Sequence, residues 1–267
     1  MKSLFVSLMC FALLSPSVLA DEKPIKLTTG LWEGISDQVG MNYNILDVKD
    51  DGQHAFYIAK MASAMRYIKR IPFTNSDITC TSAECTLSLN DPRKTNEKYK
   101  IIISPHLTNS FKVLSIISVD EKPTLTETYQ LDKKEGNSTT REFMKRYGPT
   151  IQALDKYTQK GLYGFWVGTY NDGTQKQMVV LNAQPNQRSE FVFMLNGGSN
   201  ATIETYFKDS DIATSNTFTR ISTSHKTFAN QIILHQQNKN IIIGHMYSYH
   251  KGQVLQTATF ELYRVKR

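Results

Sequence analysis

Short segments of alternating apolar and polar residues run along most of the chain after residue 30. Turn-forming sequences separate them, for example Asp50-Asp51-Gly52, Asn90-Asp91-Pro92 and Lys251-Gly252. Alternation places successive side chains on opposite faces of a strand, and Gly, Asn, Asp and Pro fit the backbone of turns. Many short strands joined by turns predict an all-β antiparallel meander, which closes into a barrel or folds into a sandwich to protect its edges.

The meander pattern occurs twice. Gly30-Leu31-Trp32-Glu33-Gly34 and Gly164-Phe165-Trp166-Val167-Gly168 share the pattern G-x-W-x-G, 134 residues apart, and contain the two tryptophans of the chain. The two units also end alike, with Thr126–Leu131 and Thr257–Leu262 separated by 131 residues. Landmarks at similar offsets at both ends of a unit indicate an internal repeat. We therefore predict two tandem antiparallel meander barrels.

A different pattern separates the units. Apolar residues recur at three- and four-residue steps between residues 140 and 160, as in an amphipathic helix, interrupted at Gly148-Pro149. This helix is predicted to pack on one or both barrels, with attachment to a membrane surface as the alternative. The predicted boundaries are a signal peptide at 1–20, a first barrel at 21–135, a helical connector at 136–162 and a second barrel at 163–267.

The first twenty residues have the features of a secretory signal peptide. Lys2 precedes an apolar run from Leu4 to Leu14, and cleavage is expected after Ala20. An exported protein favours a disulfide between Cys80 and Cys85, whose four intervening residues can form a turn, with two reduced thiols as the alternative. The expected location is the periplasm or the medium. No later apolar run approaches the roughly 20 residues of a membrane helix, so we expect no transmembrane segment.

The charge of the chain allows an acidic partner. The formal net charge is +7, and removal of Lys2 with the signal peptide leaves +6. A basic surface can contact anionic lipid headgroups or acidic glycans in the cell envelope, or it can simply keep the protein soluble. The basic residues form no dense cluster, so nucleic acid is not an expected partner. The sequence leaves the oligomeric state open.

The end of the second unit allows a prediction of its inner face. If Asn238-Lys239 and Lys251-Gly252 are the central residues of two-residue turns, strand pairing assigns one set of residues to the interior. That set is Ile232, Leu234, Ile241, Ile243, His245, Tyr247, Tyr249, Val254, Gln256, Ala258, Phe260 and Leu262. The same reasoning on the first unit, with a turn at Glu121-Lys122, places a second set inside. That set is Leu114, Ile116, Leu125, Glu127, Tyr129 and Leu131.

The G-x-W motif at the start of the first strand, with a basic residue at the end of the last strand, resembles the lipocalin and calycin signature. The basic residues are Lys133 in the first unit and Arg264 in the second. In that family the basic side chain packs across the tryptophan and closes one end of an up-and-down barrel. The resemblance therefore implies that Trp32 with Lys133, and Trp166 with Arg264, close the two barrels.

The sequence contains none of the catalytic motifs G-x-S-x-G, H-E-x-x-H and the phosphate-binding glycine loop. We expect an exported, non-enzymatic protein without cofactor or metal, which holds a small apolar or amphiphilic ligand inside a barrel. The candidate ligand-binding residues are Trp166, His245, Tyr247, Tyr249, Trp32 and Glu127. The alternative is an envelope or secreted interaction protein with solid barrels, which binds a protein or glycan through its outer surface.

Overall fold

The computed structural model describes residues 23–36, 42–60, 68–135, 139–156, 158–171, 176–194 and 202–265. The predicted signal peptide lies outside the described residues. The strands of the first unit are β1 (Gly30–Ser36), β2 (Asn42–Val48), β3 (Gln53–Lys60), β4 (Ile68–Thr74), β5 (Ile78–Cys80), β6 (Cys85–Asn90), β7 (Glu97–Leu107), β8 (Ser110–Val119) and β9 (Lys122–Lys134). The helix α1 (Thr139–Gln152) follows. The strands of the second unit are β10 (Gly164–Asn171), β11 (Lys176–Ala183), β12 (Ser189–Met194), β13 (Thr202–Phe207), β14 (Ile212–Thr214), β15 (Thr219–His225), β16 (Phe228–Asn238), β17 (Ile241–His250) and β18 (Gln253–Arg264).

The two units have the same topology. Each forms a nine-stranded antiparallel sheet, ordered β4-β3-β2-β1-β9-β8-β7-β6-β5 and β13-β12-β11-β10-β18-β17-β16-β15-β14. The first strand of each unit pairs with its last, and the remaining edges approach each other where β4 contacts β6 and β13 contacts β15. Each sheet is therefore a nearly closed barrel, and the predicted all-β fold of two tandem barrels is confirmed.

The G-x-W-x-G motif is explained by the backbone at its two glycines. Gly30 and Gly164 have φ values of +144° and +147°, which disfavour a residue with a side chain. A Cβ atom at Gly34 would lie 1.8 Å from the carbonyl oxygen of Gln130, and one at Gly168 would lie 1.7 Å from that of Glu261. The second glycine of the motif thus permits the close approach of the first and last strands that nearly closes each barrel.

Each barrel has its own apolar interior. In the first barrel it includes Trp32, Leu46, Phe56, Ile71, Leu87, Ile101, Val113 and Leu131. In the second barrel it includes Trp166, Leu181, Phe191, Phe193, Ile232, Met246, Phe260 and Leu262. Aromatic rings pack closely in the second interior, with ring centroids 4.5 Å apart for Tyr170 and Phe193 and 5.0 Å apart for Phe191 and Phe260.

A third apolar core joins the two barrels. It is formed by the outer faces of β1 to β3 and of β10 to β12, together with one face of α1. Its buried members include Ile35, Tyr43, Ile45, Phe143, Tyr147, Ile151, Phe165, Val167, Met178, Val180, Val192 and Met194. The prediction that the connector packs on the barrels is confirmed, whereas the predicted interruption at Gly148-Pro149 is wrong because α1 continues through both residues.

Glu33 anchors the start of α1 to the first barrel. Its Oε2 atom accepts hydrogen bonds from the Tyr43 hydroxyl at 2.7 Å and from the backbone N–H of Thr139 at 3.1 Å. The residue is only 1% exposed. Burial raises the pKa of the Glu33 carboxyl, although the two hydrogen bonds act in the opposite direction.

The predicted inner face of β17 is wrong by one residue. The interior residues are Ile242, Gly244 and Met246, which pair with Leu262, Phe260 and Ala258 of β18. The predicted inward set Ile241, Ile243, His245, Tyr247 and Tyr249 has the opposite orientation, and Ile243 is 40% exposed. In the first barrel the prediction holds for Glu127, Tyr129 and Leu131. It is wrong for β8, whose inner residues include Val113 and Ser115 instead of Leu114 and Ile116.

β-bulges cause these errors. Leu255 is an extra residue between the pairs Tyr249–Val254 and Ser248–Gln256, and Thr124 occupies the equivalent position between Ser118–Pro123 and Ile117–Leu125. One extra residue reverses the face of the paired strand. The turn between β16 and β17 is also centred on Lys239-Asn240, one residue later than predicted.

Cys80 and Cys85 form the predicted disulfide, which joins the paired strands β5 and β6. Among the described residues, α1 and the shorter helical turns are neither long nor apolar enough to cross a membrane.

Candidate functional site

A tryptophan and a basic side chain lie together at one end of each barrel. The Lys133 Nζ atom is 5.7 Å from the centroid of the Trp32 ring, and the Arg264 guanidinium is 4.0 Å from that of Trp166. Trp32 is 2% exposed and Trp166 is fully buried. The indole N–H groups donate to Thr28 O at 3.1 Å and to Leu162 O at 2.9 Å. Each buried tryptophan therefore fills one end of its barrel beneath a basic side chain. This geometry agrees with the resemblance, which implies that a basic side chain packs across the tryptophan.

Arg264 also fixes the segment that precedes β10. Its guanidinium donates to the carbonyl oxygens of Gly161 at 2.5 Å, Tyr163 at 2.7 Å and Lys239 at 2.8 Å. A cleft of about 410 Å³ lies beside it, lined by Leu154, Asp155, Gln159, Lys239, Asn240, Arg264 and Val265. Because the Arg264 guanidinium donates to these backbone carbonyls, it stabilises the chain segments around Trp166.

The remaining candidates of the second barrel do not line its interior. His245 is exposed on the outer face of β17, opposite Thr259 of β18. Tyr247 and Tyr249 are half-buried. The predicted pocket of Trp166, His245, Tyr247 and Tyr249 is therefore not assembled, because the bulge at Leu255 turns β17 over relative to the expected register.

Glu127 lies inside the first barrel, at the end away from Trp32. It pairs with Ser115 across β8 and β9 and is 5% exposed. Other buried polar side chains occupy the same half of the inner face. We call the set the polar layer, and it consists of Ser36, Asn44, Ser115, Glu127 and Tyr129. Asn44 Nδ2 donates to Ser36 Oγ at 3.2 Å, which links β2 to β1. Burial raises the pKa of the Tyr129 hydroxyl, and the nearby Glu127 adds to this effect.

The second barrel has a different layer at the same positions. Strand pairing matches the polar layer with Tyr170, Val179, Met246, Ala258 and Phe260. All five are buried and apolar or aromatic. The Tyr170 hydroxyl donates to Gln177 Oε1 at 2.9 Å. The Phe260 ring also lies over Gly244, where a Cβ atom would be 2.3 Å from a ring carbon. At these five positions only Tyr170 carries a polar group in the second barrel, whereas all five residues of the first barrel do.

A charged cluster lies at the rim next to the polar layer. Lys69 Nζ is 2.9 Å from Asp91 Oδ2 and 2.6 Å from Glu97 Oε1, and it donates to the Tyr99 hydroxyl oxygen at 2.6 Å. Burial alone would raise the pKa of Glu97, but the bonds from Lys69, Tyr99 and Lys94 lower it to about 2. Burial alone would lower the pKa of Lys69, but its acidic partners raise it instead. The cluster joins β4 to β7 across the gap in the sheet.

Comparisons with known proteins do not identify this chain. No protein-family model matches it, and no curated protein matches it. A crystal structure of a protein of unknown function from the DUF3598 family of Nostoc punctiforme is similar over 89% of this chain and 96% of that chain. The identity is 11% and the TM-score is 0.28, and we infer neither the fold nor a function from this match.

Sequence reasoning placed Glu127 and Tyr129 inside the first barrel but did not find the other members of the polar layer. No sequence motif marks Ser36, Asn44 or the residues of the Lys69 cluster. These residues also come from distant parts of the chain, so the sequence gives no sign that they lie close together. The signal that could have found them is a comparison of the two units position by position, since the repeat makes each unit the reference for the other. Among the described residues, no three His, Cys, Asp or Glu side chains are placed to hold a metal ion.

Proposed function

We propose that the protein is an exported, non-enzymatic binding protein and that its first barrel holds a small amphiphilic ligand at the polar layer. The observation that carries the proposal is the difference between the two units at equivalent inner positions. The second barrel has apolar residues at four of these five positions and Tyr170 at the fifth, whereas the first has Glu127 and four other polar residues. The signal-like residues 1–20 and the Cys80–Cys85 disulfide support the proposal of export.

The cost of burying polar groups supports a role for this layer. A buried carboxyl group loses its hydration, and hydrogen-bond partners offset only part of this loss, so Glu127 is less favourable inside the barrel than a methyl group such as that of Ala258 at the equivalent position. The second barrel has Val179, Met246, Ala258 and Phe260 at four of these positions, so the topology does not require polar residues at those four. Polar residues retained inside a fold that can do without them are typical of a binding site.

The surroundings of the layer indicate the chemistry of the ligand. Leu125 and Ile117 pair across β9 and β8 next to Glu127 and are only partly buried. A ligand in this place would contact aliphatic side chains as well as the carboxyl group and the hydroxyls. A small molecule with an apolar part and an amine or hydroxyl group fits both, because the amine or hydroxyl can donate to Glu127.

Native mass spectrometry tests the proposal. Residues 21–267, exported and purified without detergent, are measured native and denatured. We expect extra mass in the native sample alone, and fragmentation then gives the chemical class of the ligand. A bare native mass, together with no uptake from a panel of small amines, alcohols and fatty acids, would contradict the proposal and favour binding through the outer surface.

A substitution of Glu127 locates the ligand. Glu127→Gln keeps the size of the side chain and an accepting oxygen but removes the charge, so we expect at least about tenfold weaker binding of an amine ligand. Glu121→Gln is the matched control, since Glu121 lies in the exposed turn between β8 and β9. Equal binding by both variants would place the ligand elsewhere.

A further inference from the structure

The second barrel exposes apolar side chains at the end away from Trp166. Phe228, Val254 and Leu255 are 55%, 54% and 61% exposed. They lie on β16 and β18, on either side of β17. His250 of β17 pairs with Phe228, and the two rings stack with their centroids 4.6 Å apart. We call Phe228, Val254 and Leu255 the apolar tip. Its three residues lie at the same end of the second barrel, beside the turns of two adjacent hairpins.

Lysines occupy both turns beside the apolar tip. Lys226 and Lys251 are exposed, with φ values of +55° and +50°. The sequence has no Asp or Glu from Ser222 to Gln231 or from Met246 to Ala258. The two hairpins therefore combine exposed apolar side chains with two exposed lysines, and these stretches contain no acidic residue of their own.

The first barrel has the same backbone at this end but different side chains. Its β8–β9 turn is Asp120-Glu121, with φ values of +50° and +63°, where the second barrel has Lys251-Gly252. Pro123 and Thr124 take the places of Val254 and Leu255. Glu97, which is bound to Lys69, takes the place of Phe228. The fold therefore does not require apolar or basic residues at these positions.

We propose that the apolar tip docks the protein on the surface of an anionic lipid bilayer. Apolar side chains at hairpin turns can enter the headgroup region, and flanking lysines are attracted to acidic headgroups. The lysines in both turns disfavour contact between the apolar tips of two copies, because like charges would meet. Within the described part of the chain, the corresponding turn of the first barrel, Asp120-Glu121, has no exposed large apolar side chain beside it for the tip to contact, so a lipid surface is the better partner. This surface is distinct from the polar layer inside the first barrel, so either proposal can fail alone.

Vesicle co-sedimentation tests the docking. Residues 21–267 are mixed with vesicles of phosphatidylglycerol and phosphatidylcholine, or of phosphatidylcholine alone, at low and high salt. We expect binding to the anionic vesicles, weaker binding at high salt, and little binding to the neutral ones. Phe228→Ser, Val254→Ser and Leu255→Ser together are expected to weaken binding at least about tenfold. Lys226→Gln and Lys251→Gln are expected to weaken it about fivefold each.

Leu107→Ser is the matched control, because Leu107 is 66% exposed at the opposite end of the first barrel. We expect it to bind vesicles like the unaltered protein, and circular dichroism checks that every variant is folded. Absence of binding to anionic vesicles, or equal binding by the triple variant, would overturn the proposal. Concentration-dependent oligomers that the triple variant abolishes, without vesicle binding, would overturn it in favour of contact between copies.

Discussion

The two glycines of each G-x-W-x-G motif show how single residues determine this fold. The first glycine has a positive φ. At the second glycine, the backbone of the last strand of the barrel occupies the space that a Cβ atom would need. The sequence predicted the repeat from this motif, because a pattern found twice at similar offsets is visible without a structure. It could not predict the role of the second glycine, since that role depends on the distance between the first and last strands of a barrel.

Alanine substitutions test the role of the second glycine. We expect Gly34→Ala and Gly168→Ala each to lower the free energy of unfolding by about 1–3 kcal/mol or more, because the new Cβ forces two strands apart. Urea unfolding measures the change. Gly148→Ala is the control, since the nearest atom to its Cβ would be Met144 Cε at 4.0 Å and alanine favours a helix. Unchanged stability of Gly34→Ala would contradict the account.

At the scale of elements, the strands were predictable and their register was not. Both faces of β17 are apolar, since Ile242 and Met246 lie inside while Ile243 and Tyr247 lie outside. The alternation therefore allows either face to point inward, and the bulge at Leu255 decides between them. The contacts that nearly close the first barrel could not be predicted from the sequence either, because Lys69 and Glu97 come together only when the two edges of the sheet approach each other.

The Lys69 cluster predicts how the stability of the first barrel depends on pH. The folded pKa of Glu97 is about 2, below its ordinary value of 4.5. Glu97 therefore stabilises the fold above pH 4.5, and this contribution is lost as the pH falls towards 2. We expect Glu97→Gln to lower the free energy of unfolding by roughly 3 kcal/mol at pH 7 and to match the unaltered protein near pH 2.

Urea unfolding at pH 7, 4 and 2.5 measures this difference. Glu33 has a raised pKa, so its own contribution falls as the pH rises above 4.5, but it is present in both proteins and cancels. Glu121→Gln is the control, since the Glu121 side chain is 75% exposed and its ion pair with Lys98 is screened by water, so we expect a change of less than about 1 kcal/mol at each pH. If Glu97→Gln lowered the free energy of unfolding by the same amount at all three pH values, the ion pairs of Glu97 would not be the source of its stabilising effect.

At the scale of the whole molecule, a shared apolar core joins the two barrels. Each barrel has an apolar outer face that is buried only by contact with the other barrel and α1. Strands β10 to β12 are buried on both faces, and their apolar runs Met178–Leu181 and Phe191–Met194 carried that signal in the sequence. A run buried on both faces needs a second partner, but the sequence does not say which element supplies it. The outer faces of β1 to β3 and α1 supply it here.

The shared core predicts that the barrels unfold together. Phe143 of α1 is fully buried between them. We expect Phe143→Ala to destabilise the protein by about 3–5 kcal/mol and to shift the unfolding of both barrels equally. Trp32 and Trp166 report on one barrel each, so fluorescence in Trp166→Phe and Trp32→Phe backgrounds follows them separately. The exposed Phe228→Ala is the control and should cause little change. A shift confined to one tryptophan would contradict a shared core.

The binding proposal depends most directly on the polar layer of the first barrel. The second barrel provides the test, because it has Met246 where the first has Ser115. Ser115→Met should place an apolar side chain in the layer while the barrel still folds, and Ser88→Met, on the exposed outer face of β6, is the matched control. We would compare native mass spectra of both variants with that of the unaltered protein. The account predicts that Ser115→Met alone loses the bound mass, whereas an unchanged bound mass in Ser115→Met would contradict it.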